Sequence, residues 1–548
     1  MTREKNATLF YFAKKHWPLP VAIVSFLFVI AIVLFSAYRR IHYFGYALDD
    51  PYIHMAMAKN MSENGIWGVT RYEFSSSSSS PVWTLLLSMI YMITGPNDLI
   101  PLILNIIFAI LLLIAIYWIY SSYKPVLPSY YKCFALLLFV FLTSLPGLAF
   151  VGLEHTLHAL VTILFVYCAA RELSRENHHI DRNTIAFLAL AAFIVLIRYE
   201  GIFLVFIVFL LAMLRRRWLL SLELAAAASI LPAVFGIISI ANGSLWLPNS
   251  VLNKGNIPIL DSFHSIISFL GYTTYQKLLL DPALASLIVV ALLLFRIDKR
   301  KGFWDMGQLM IVMFIGVTCL HAVFATVENI SFHFYLFRYV SYLVALGLFV
   351  LVTPVYEFFF NMGRSIRDLM PTYIAVSLIA LILIIPLAQR GYNAIAQAER
   401  AMTNIYEQQY QLALFLQRYY QGTPVVLNDI GLINYHTDIK CLDMMGLGNV
   451  EVLKAMKDKN WNKNTIAQMS MNKGVKVALI YDSVFGNSVP LEWNRVGQWK
   501  ISNNVVCGSE TVSIYAVDPS ETNRLIDNLS DFQNQLPKTV EQSGSYVP

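Results

Sequence analysis

The chain has 548 residues, 57% apolar and only 14% charged, with a mean hydropathy of +0.58; soluble domains carry about 25% charged residues, so the composition defines an integral membrane protein. The net charge of +6 is scattered in basic patches between apolar runs, a pattern of membrane topology rather than of a nucleic-acid-binding face, and no nucleic-acid partner is expected. Five cysteines without metal-ligand spacing exclude a zinc site and a disulfide scaffold, although Cys441 and Cys507 could pair in an oxidising compartment.

Arg3, Lys5, Lys14 and Lys15 precede an apolar stretch from Pro20 to Tyr38 with no small-residue cleavage pattern after it. This reads as an uncleaved first span with the N-terminus cytoplasmic. Residues 39–80 form a hydrophilic external loop, in which the run Ser75 to Ser80 reads as a flexible segment. Further apolar stretches follow at 81–95, 98–120, 131–149, 152–170, 183–197, 201–214, 218–241, 281–296, 307–326, 339–360 and 371–389. Basic clusters such as Arg171, Arg175 and Arg182, or Arg215 to Arg217, mark cytoplasmic loops, and 18 of the 27 Lys and Arg in residues 1–390 fall on that side.

An odd number of crossings must join the external first loop to the internal Arg171 loop, yet four apolar stretches lie between them. The shortest, Pro81 to Gly95, rises only about 22 Å against a hydrocarbon core of about 30 Å, and is assigned as a re-entrant or interfacial helix. About eleven spans then remain and leave residues 391–548 outside. That region has a helix-like segment to Gln421 and strand-like runs at Val425–Leu427, Val477–Tyr481 and Val512–Val517, the pattern of a soluble α/β domain. Its 13 basic and 15 acidic residues give −2, leaving +8 on the membrane half, and the tail from Pro537 to Pro548 reads as disordered.

The residues that could carry chemistry gather at the outer ends of these spans. Asp49-Asp50-Pro51 opens the first external loop. The pair serves either as a turn and helix start or as a general base or divalent-cation pair, since adjacent carboxylates repel and one is then suited to taking a proton. His54 lies one helical turn after Asp50. Glu154 and His155 open an apolar helix; Arg198 and Glu200 form an outer turn; Asn249 and Lys254 follow Pro248; Arg338 precedes a late span; and His333 sits among aromatic residues. Asp429 and Asp443 lie in the external domain, where Asn428-Asp429-Ile430-Gly431 also has the chemistry of a strand-ending turn.

The Asp-Asp pair, the helix-like stretch to Glu63, the Asn64-Gly65 turn and Ser80-Pro81-Val82-Trp83 resemble the polyprenyl-phosphate-dependent glycosyltransferases of the GT-C fold. They resemble most the bacterial arabinofuranosyltransferases that finish mycobacterial arabinan. Gly152-Leu153-Glu154-His155, Arg198-Tyr199-Glu200-Gly201, Leu247-Pro248-Asn249-Ser250 with Lys254, Arg338-Tyr339, Asn428-Asp429-Ile430-Gly431 and Leu442-Asp443 with Gly446-Leu447 resemble further elements of that family in the same order. His155, Tyr199 and Met444-Met445 depart from its pattern.

The resemblance implies a multi-span GT-C catalytic bundle over residues 1–390 and an extracytoplasmic α/β domain over 391–548, in a bacterial cytoplasmic (inner) membrane. It implies transfer of a sugar, arabinofuranose or another pentose first, from polyprenyl phosphate to a hydroxyl of a surface glycan or a protein such as pilin. Asp49 and Asp50 would be catalytic, with Asp49 preferred as the base. Arg198, Lys254, Arg338 and His54 would hold the donor phosphate, and Glu154, His155, Glu200, Asn249, His333 and Asp429 would line the substrate sites. The resemblance fixes no cofactor, and a divalent cation on Asp49 and Asp50 stays open. The competing class is a transporter or flippase of lipid-linked sugars, which would favour repeated halves and ionisable groups at the bilayer midplane.

Overall fold

The structure is a computed structural model that describes residues 16–123, 127–176, 180–254, 281–295, 305–325, 337–362 and 370–547, without the side chains of residues 254, 359–362 and 370–380. Arg3, Lys5, Lys14, Lys15, His333 and the Lys254 side chain therefore lie outside the described residues.

Every apolar stretch of the sequence lies in a helix. In chain order these are α1 (Pro18–Ile41), α2 (Asp50–Asn64, in the first loop), α3 (Pro81–Thr94), α4 (Ile100–Tyr123), α5 (Ser129–Leu142), α6 (Leu145–Val151), α7 (His155–Ser174), α8 (Arg182–Ile197), α9 (Gly201–Leu214), α10 (Trp218–Ala241), the short α11 (Asn249–Lys254), α12 (Pro282–Leu294), α13 (Met306–Phe324), α14 (Ser341–Met362) and α15 (Met370–Ile405). Among the described residues, seven helices are long and apolar enough to cross a membrane and four shorter apolar ones accompany them. The chain is a multi-pass membrane protein. Helix α3 has 14 residues, a rise of about 21 Å and too short for a perpendicular crossing.

The order of the helices separates two ends of the bundle. Glu154, just before α7, meets Arg198, just after α8, at 2.7 Å. At the other end of α7, Glu172 pairs with Arg175 at 2.8 Å, Arg175 with Asp181 at 3.0 Å, and Arg217 donates to the Glu172 carbonyl at 2.6 Å. The basic clusters thus sit one membrane thickness away from Arg198, and α7 to α10 run alternately up and down.

The C-terminal domain holds a six-stranded sheet in the order β2-β1-β3-β5-β4-β6. Its strands are β1 (Pro424–Leu427), β2 (Lys440–Asp443), β3 (Val477–Ile480), β4 (Asn494–Lys500), β5 (Thr511–Ala516) and β6 (Glu541–Gly544). The β1 strand pairs parallel with β2 and β3, and the rest of the sheet is antiparallel. Alternation along β1 sends Val425 and Leu427 into a core continuous with the bundle, whereas Val426 joins a separate core on the other face with Leu442, Ala478 and Ile480. The boundary expected at residue 391 falls inside α15, so a single helix carries the chain from the bundle into the sheet domain.

Three expectations are corrected. The tail is ordered: β6 pairs with β4, and the Trp499 indole donates to the Tyr546 hydroxyl at 2.9 Å. Cys441 and Cys507 are both free; Cys441 lies on β2, while the Cys507 thiol points to the Gln409 side-chain carbonyl at 3.5 Å. The serine run is buried, with only Ser79 partly open. Ser77 donates to the Leu447 carbonyl at 2.8 Å, and the Asn249 amide donates to the Ser76 carbonyl at 2.7 Å. Small hydroxyl side chains suit a segment threaded between the bundle and the domain, where space is narrow.

Candidate active site

Asp-Asp-Pro starts helix α2, with Pro51 in the first turn, where its missing N–H costs nothing. The two carboxylates diverge. Asp50 pairs with Arg338 and lines a cavity of about 590 Å³. Asp49 turns away from that cavity and accepts from the Gly431 and Leu432 backbone amides, both at 2.8 Å. Burial, reinforced by the nearby Asp429 carboxylate, raises the Asp49 pKa well above the usual carboxylate range, while the two amides oppose that shift.

Arg338 opens a single 3-10 turn after Phe337, which holds a left-handed conformation (φ 54°), and it is only 2% exposed. Its guanidinium donates to the Tyr339 hydroxyl at 2.9 Å and lies 4.8 Å from the Tyr339 ring centroid. The second cation, Arg198, follows α8 in extended conformation (φ −157°). Its Nε and Nη2 grip Glu200 at 3.2 and 2.6 Å, and its Nη1 donates to Glu154 at 2.7 Å. The Arg198 guanidinium is 5.6 Å from the same Tyr339 ring, so one aromatic ring serves both cations. Burial opposes ionisation of Glu200, but the Arg198 charge and hydrogen bonds outweigh it and hold the Glu200 pKa down to about 2.

The cavity is amphipathic. Asp50, Arg198, Glu200, Arg338, Ser79, Ser250 and His321 line its polar part, and Val195, Ile202, Phe203, Ala228, Pro232, Ala233 and Phe324 from α8, α9, α10 and α13 line its apolar part. Ile202, Trp246 and Phe324 of the lining are exposed.

Of the residues singled out in the sequence, Asp50, Arg198, Glu200 and Arg338 face this cavity. Asp49, His54, Glu154, His155, Asn249, Asp429 and Asp443 do not line it and make contacts within the protein, while His333 and the Lys254 side chain lie outside the described residues. Glu154 is 0% exposed and sits behind Arg198, with His155 beside it, Nδ1 3.5 Å from the same Nη1. The His54 ring meets Thr84 Oγ1 at 2.8 Å and Ser78 Oγ at 3.3 Å, holding the serine run. Asn249 donates to the Leu447 carbonyl at 3.1 Å. Asp429 accepts from Gln409 at 2.8 Å and from Tyr481, inside the junction between bundle and domain. Asp443 accepts from the Met445 and Gly448 amides at 2.8 and 2.7 Å and shapes the loop that reaches Ser77 and Asn249.

Sequence reasoning missed Ser79, Trp246, Ser250, His321 and Tyr339 as lining residues. Ser250 and Tyr339 had a signal, their places in Leu247-Pro248-Asn249-Ser250 and directly after Arg338, and Ser79 lay within the serine run. No group of three or more His, Cys, Asp or Glu in metal-holding geometry occurs among the described residues, and Asp49 and Asp50 are committed to different partners.

A family model described as a domain of unknown function (DUF8728) matches residues 403–515. No curated protein sequence matches the chain. The structure of ArnT from Cupriavidus metallidurans bound to undecaprenyl phosphate is similar at 11% identity and a TM-score of 0.50, over 90% of this chain and 98% of that one. The apo state of the same protein is similar at 12% identity, with the same coverage and a TM-score of 0.50. The apo oligosaccharyltransferase of Archaeoglobus fulgidus is 13% identical with a TM-score of 0.49, over 92% of this chain and 75% of that one. The likeness is one of fold, and the fold is a GT-C multi-span bundle with a C-terminal sheet domain.

Proposed function

We infer that the chain is a membrane glycosyltransferase that takes a sugar from a polyprenyl-phosphate carrier and transfers it to an acceptor hydroxyl at the extracytoplasmic face of a bacterial cytoplasmic membrane. One observation carries this reading: a carboxylate, Asp50, and two buried guanidiniums, Arg198 and Arg338, share the polar part of a cavity whose remaining wall is apolar. A lipid carrier with an anionic phosphate has that same division. The fold shared with ArnT, whose structure holds undecaprenyl phosphate, supports the choice of carrier. The basic clusters at the far end of α7 support the orientation.

In this mechanism Asp50, oriented by Arg338, takes the proton of the acceptor hydroxyl as that oxygen bonds to the anomeric carbon. The bond from that carbon to the phosphate oxygen breaks, and its electron pair leaves with polyprenyl phosphate. Arg198 and Arg338 stabilise the charge that develops there. Asp50 is therefore the base, and Asp49 joins the sheet domain to the site. The resemblance in sequence motifs leans to arabinofuranose as the sugar, and to a surface glycan or a protein such as pilin as the acceptor.

The test is transfer by the purified protein from a panel of polyprenyl-phosphate sugars, arabinofuranose included, with Asp50→Asn as the control. Transfer by the wild type and not by the variant supports the reading. Movement of the lipid-linked sugar between leaflets without transfer would replace it with a transporter or flippase.

A further inference from the structure

The end of α1 carries a second cavity, of about 310 Å³, that shares no lining residue with the one at Asp50. Leu34 and Phe35 of α1, Tyr43 and Phe44 of the first loop, Leu99 before α4 and Met402 of α15 form its walls. These walls are held in place. Tyr43 stacks on Tyr410 with ring centroids 4.1 Å apart, and Phe44 meets the buried Tyr46 edge-on at 5.3 Å. Arg40 ties α1 to α15 through Glu399 at 3.3 Å, a carboxylate that also accepts from Ser36.

What covers this groove follows from its depth. Helix α1 is long and apolar enough to cross a membrane, and only 22% of its apolar window is buried inside the protein. Trp17 and Tyr38, both exposed, bracket it across a rise of about 32 Å, against a hydrocarbon core of about 30 Å. Aromatic residues so placed mark the two boundaries between membrane and water. The groove therefore lies where acyl chains meet headgroups. At its rim the exposed Arg39 guanidinium is 5.6 Å from the Phe35 ring, and unlike Arg40 it makes no ion pair among the described residues. Apolar contact alone does not hold one lipid here, because the rest of the bilayer is equally apolar. A phosphate on Arg39 does.

We propose that this groove binds one glycerophospholipid of the surrounding bilayer, with an acyl chain between Phe35, Phe44 and Leu99 and its phosphate on Arg39. The carrier lipid is not the occupant, because neither Arg198 nor Arg338 lines the groove. A lipid in this position bridges α1, the first loop that presents Asp49 and Asp50, and the helix that leads into the sheet domain.

The experiment titrates the full chain, stripped of lipid in maltoside micelles, with a phosphatidylglycerol that carries a photoactivatable diazirine in its acyl chain, and maps the labelled residues by peptide mass spectrometry. The expected result is saturable labelling at Phe35, Phe44 and Leu99, and labelling merely proportional to lipid at Phe28 and Ile32, which are exposed on the same helix outside the groove. Arg39→Gln, a change at an exposed residue, should raise the half-saturating lipid fraction about fivefold. Leu99→Trp, which narrows the groove, should abolish saturation. Proportional labelling at all five positions, or an unchanged half-saturating fraction in Arg39→Gln, overturns the site. Displacement of the label by undecaprenyl phosphate at a lower fraction than by unlabelled phosphatidylglycerol gives the groove to the carrier and overturns it as well.

Discussion

Glu154 holds Arg198 from behind, its Oε1 2.7 Å from Nη1 while Glu200 takes Nε and Nη2 from the other side. Glu154 is fully buried and does not line the cavity. It is a positioning residue that acts through the guanidinium. A double-mutant cycle with Glu154→Gln and Arg198→Lys should show a coupling of about 0.5–3 kcal/mol in kcat/KM for the donor, and Glu154→Asp should restore part of the loss. Additive effects within error would remove the assignment.

The two adjacent carboxylates should fail in different ways. Asp50→Asn should lower kcat by roughly 10²- to 10⁴-fold with unfolding unchanged. Asp49→Asn presents an amide N–H toward a backbone N–H, so it should cost about 1–3 kcal/mol of stability while the folded fraction keeps its activity. Thermal unfolding and transfer assays on the same preparations separate the two. The opposite pattern would make Asp49 the base.

Gly431 is the second place where this joint can be broken. Its backbone angle is ordinary (φ −79°), but a Cβ there would fall 2.7 Å from Asp49 Oδ2 and closer still to the Asp49 carbonyl. Gly431→Ala should therefore cost about 1–3 kcal/mol and expose the junction around Tyr406–Tyr410 to limited proteolysis. An unchanged cleavage pattern would show that the contact does not hold the domain in place.

Asp443 ties stability to pH. Burial lifts its pKa to about 6, against the pull of the Gly448, Met445 and Leu447 amides and with a further push from Asp429. A carboxyl raised in the folded state binds more protons folded than unfolded. Its contribution is complete below the ordinary carboxylate pKa of about 4 and is lost as pH rises to about 6, a change on the order of 3 kcal/mol. Thermal midpoints measured from pH 4 to 7 should fall more steeply with rising pH in the wild type than in Asp443→Asn. Parallel curves would place the titration elsewhere.

Much of the bundle could be read in the sequence because long apolar runs have one structural outcome in a membrane, and each of the twelve became helix. The strand-like runs at Val425–Leu427, Val477–Tyr481 and Val512–Val517 became β1, β3 and β5 because they are the buried apolar centre of the sheet. Lys440–Asp443, Asn494–Lys500 and Glu541–Gly544 escaped notice because β2 and β6 lie at the sheet edges and β4 carries polar residues on its open face. At the site, Arg198 and Arg338 were legible as cations at the ends of spans. Their partners were not, since the Arg338 contact with Asp50 spans 288 positions and nothing in local chemistry marks it. The serine run misled for the same reason: its burial depends on Leu447, 370 positions beyond Ser77.

The joint between Asp49 and Gly431 also orders events during synthesis. Asp49 is made 382 residues before its amide partner, a delay of roughly 20–80 s at ordinary elongation rates of about 5–20 residues per second. During that interval the first loop has neither the Gly431 amide nor the Leu447 carbonyl to close on, so a ribosome-bound bundle carries an unfinished site. The joint closes only after the last domain has emerged and folded.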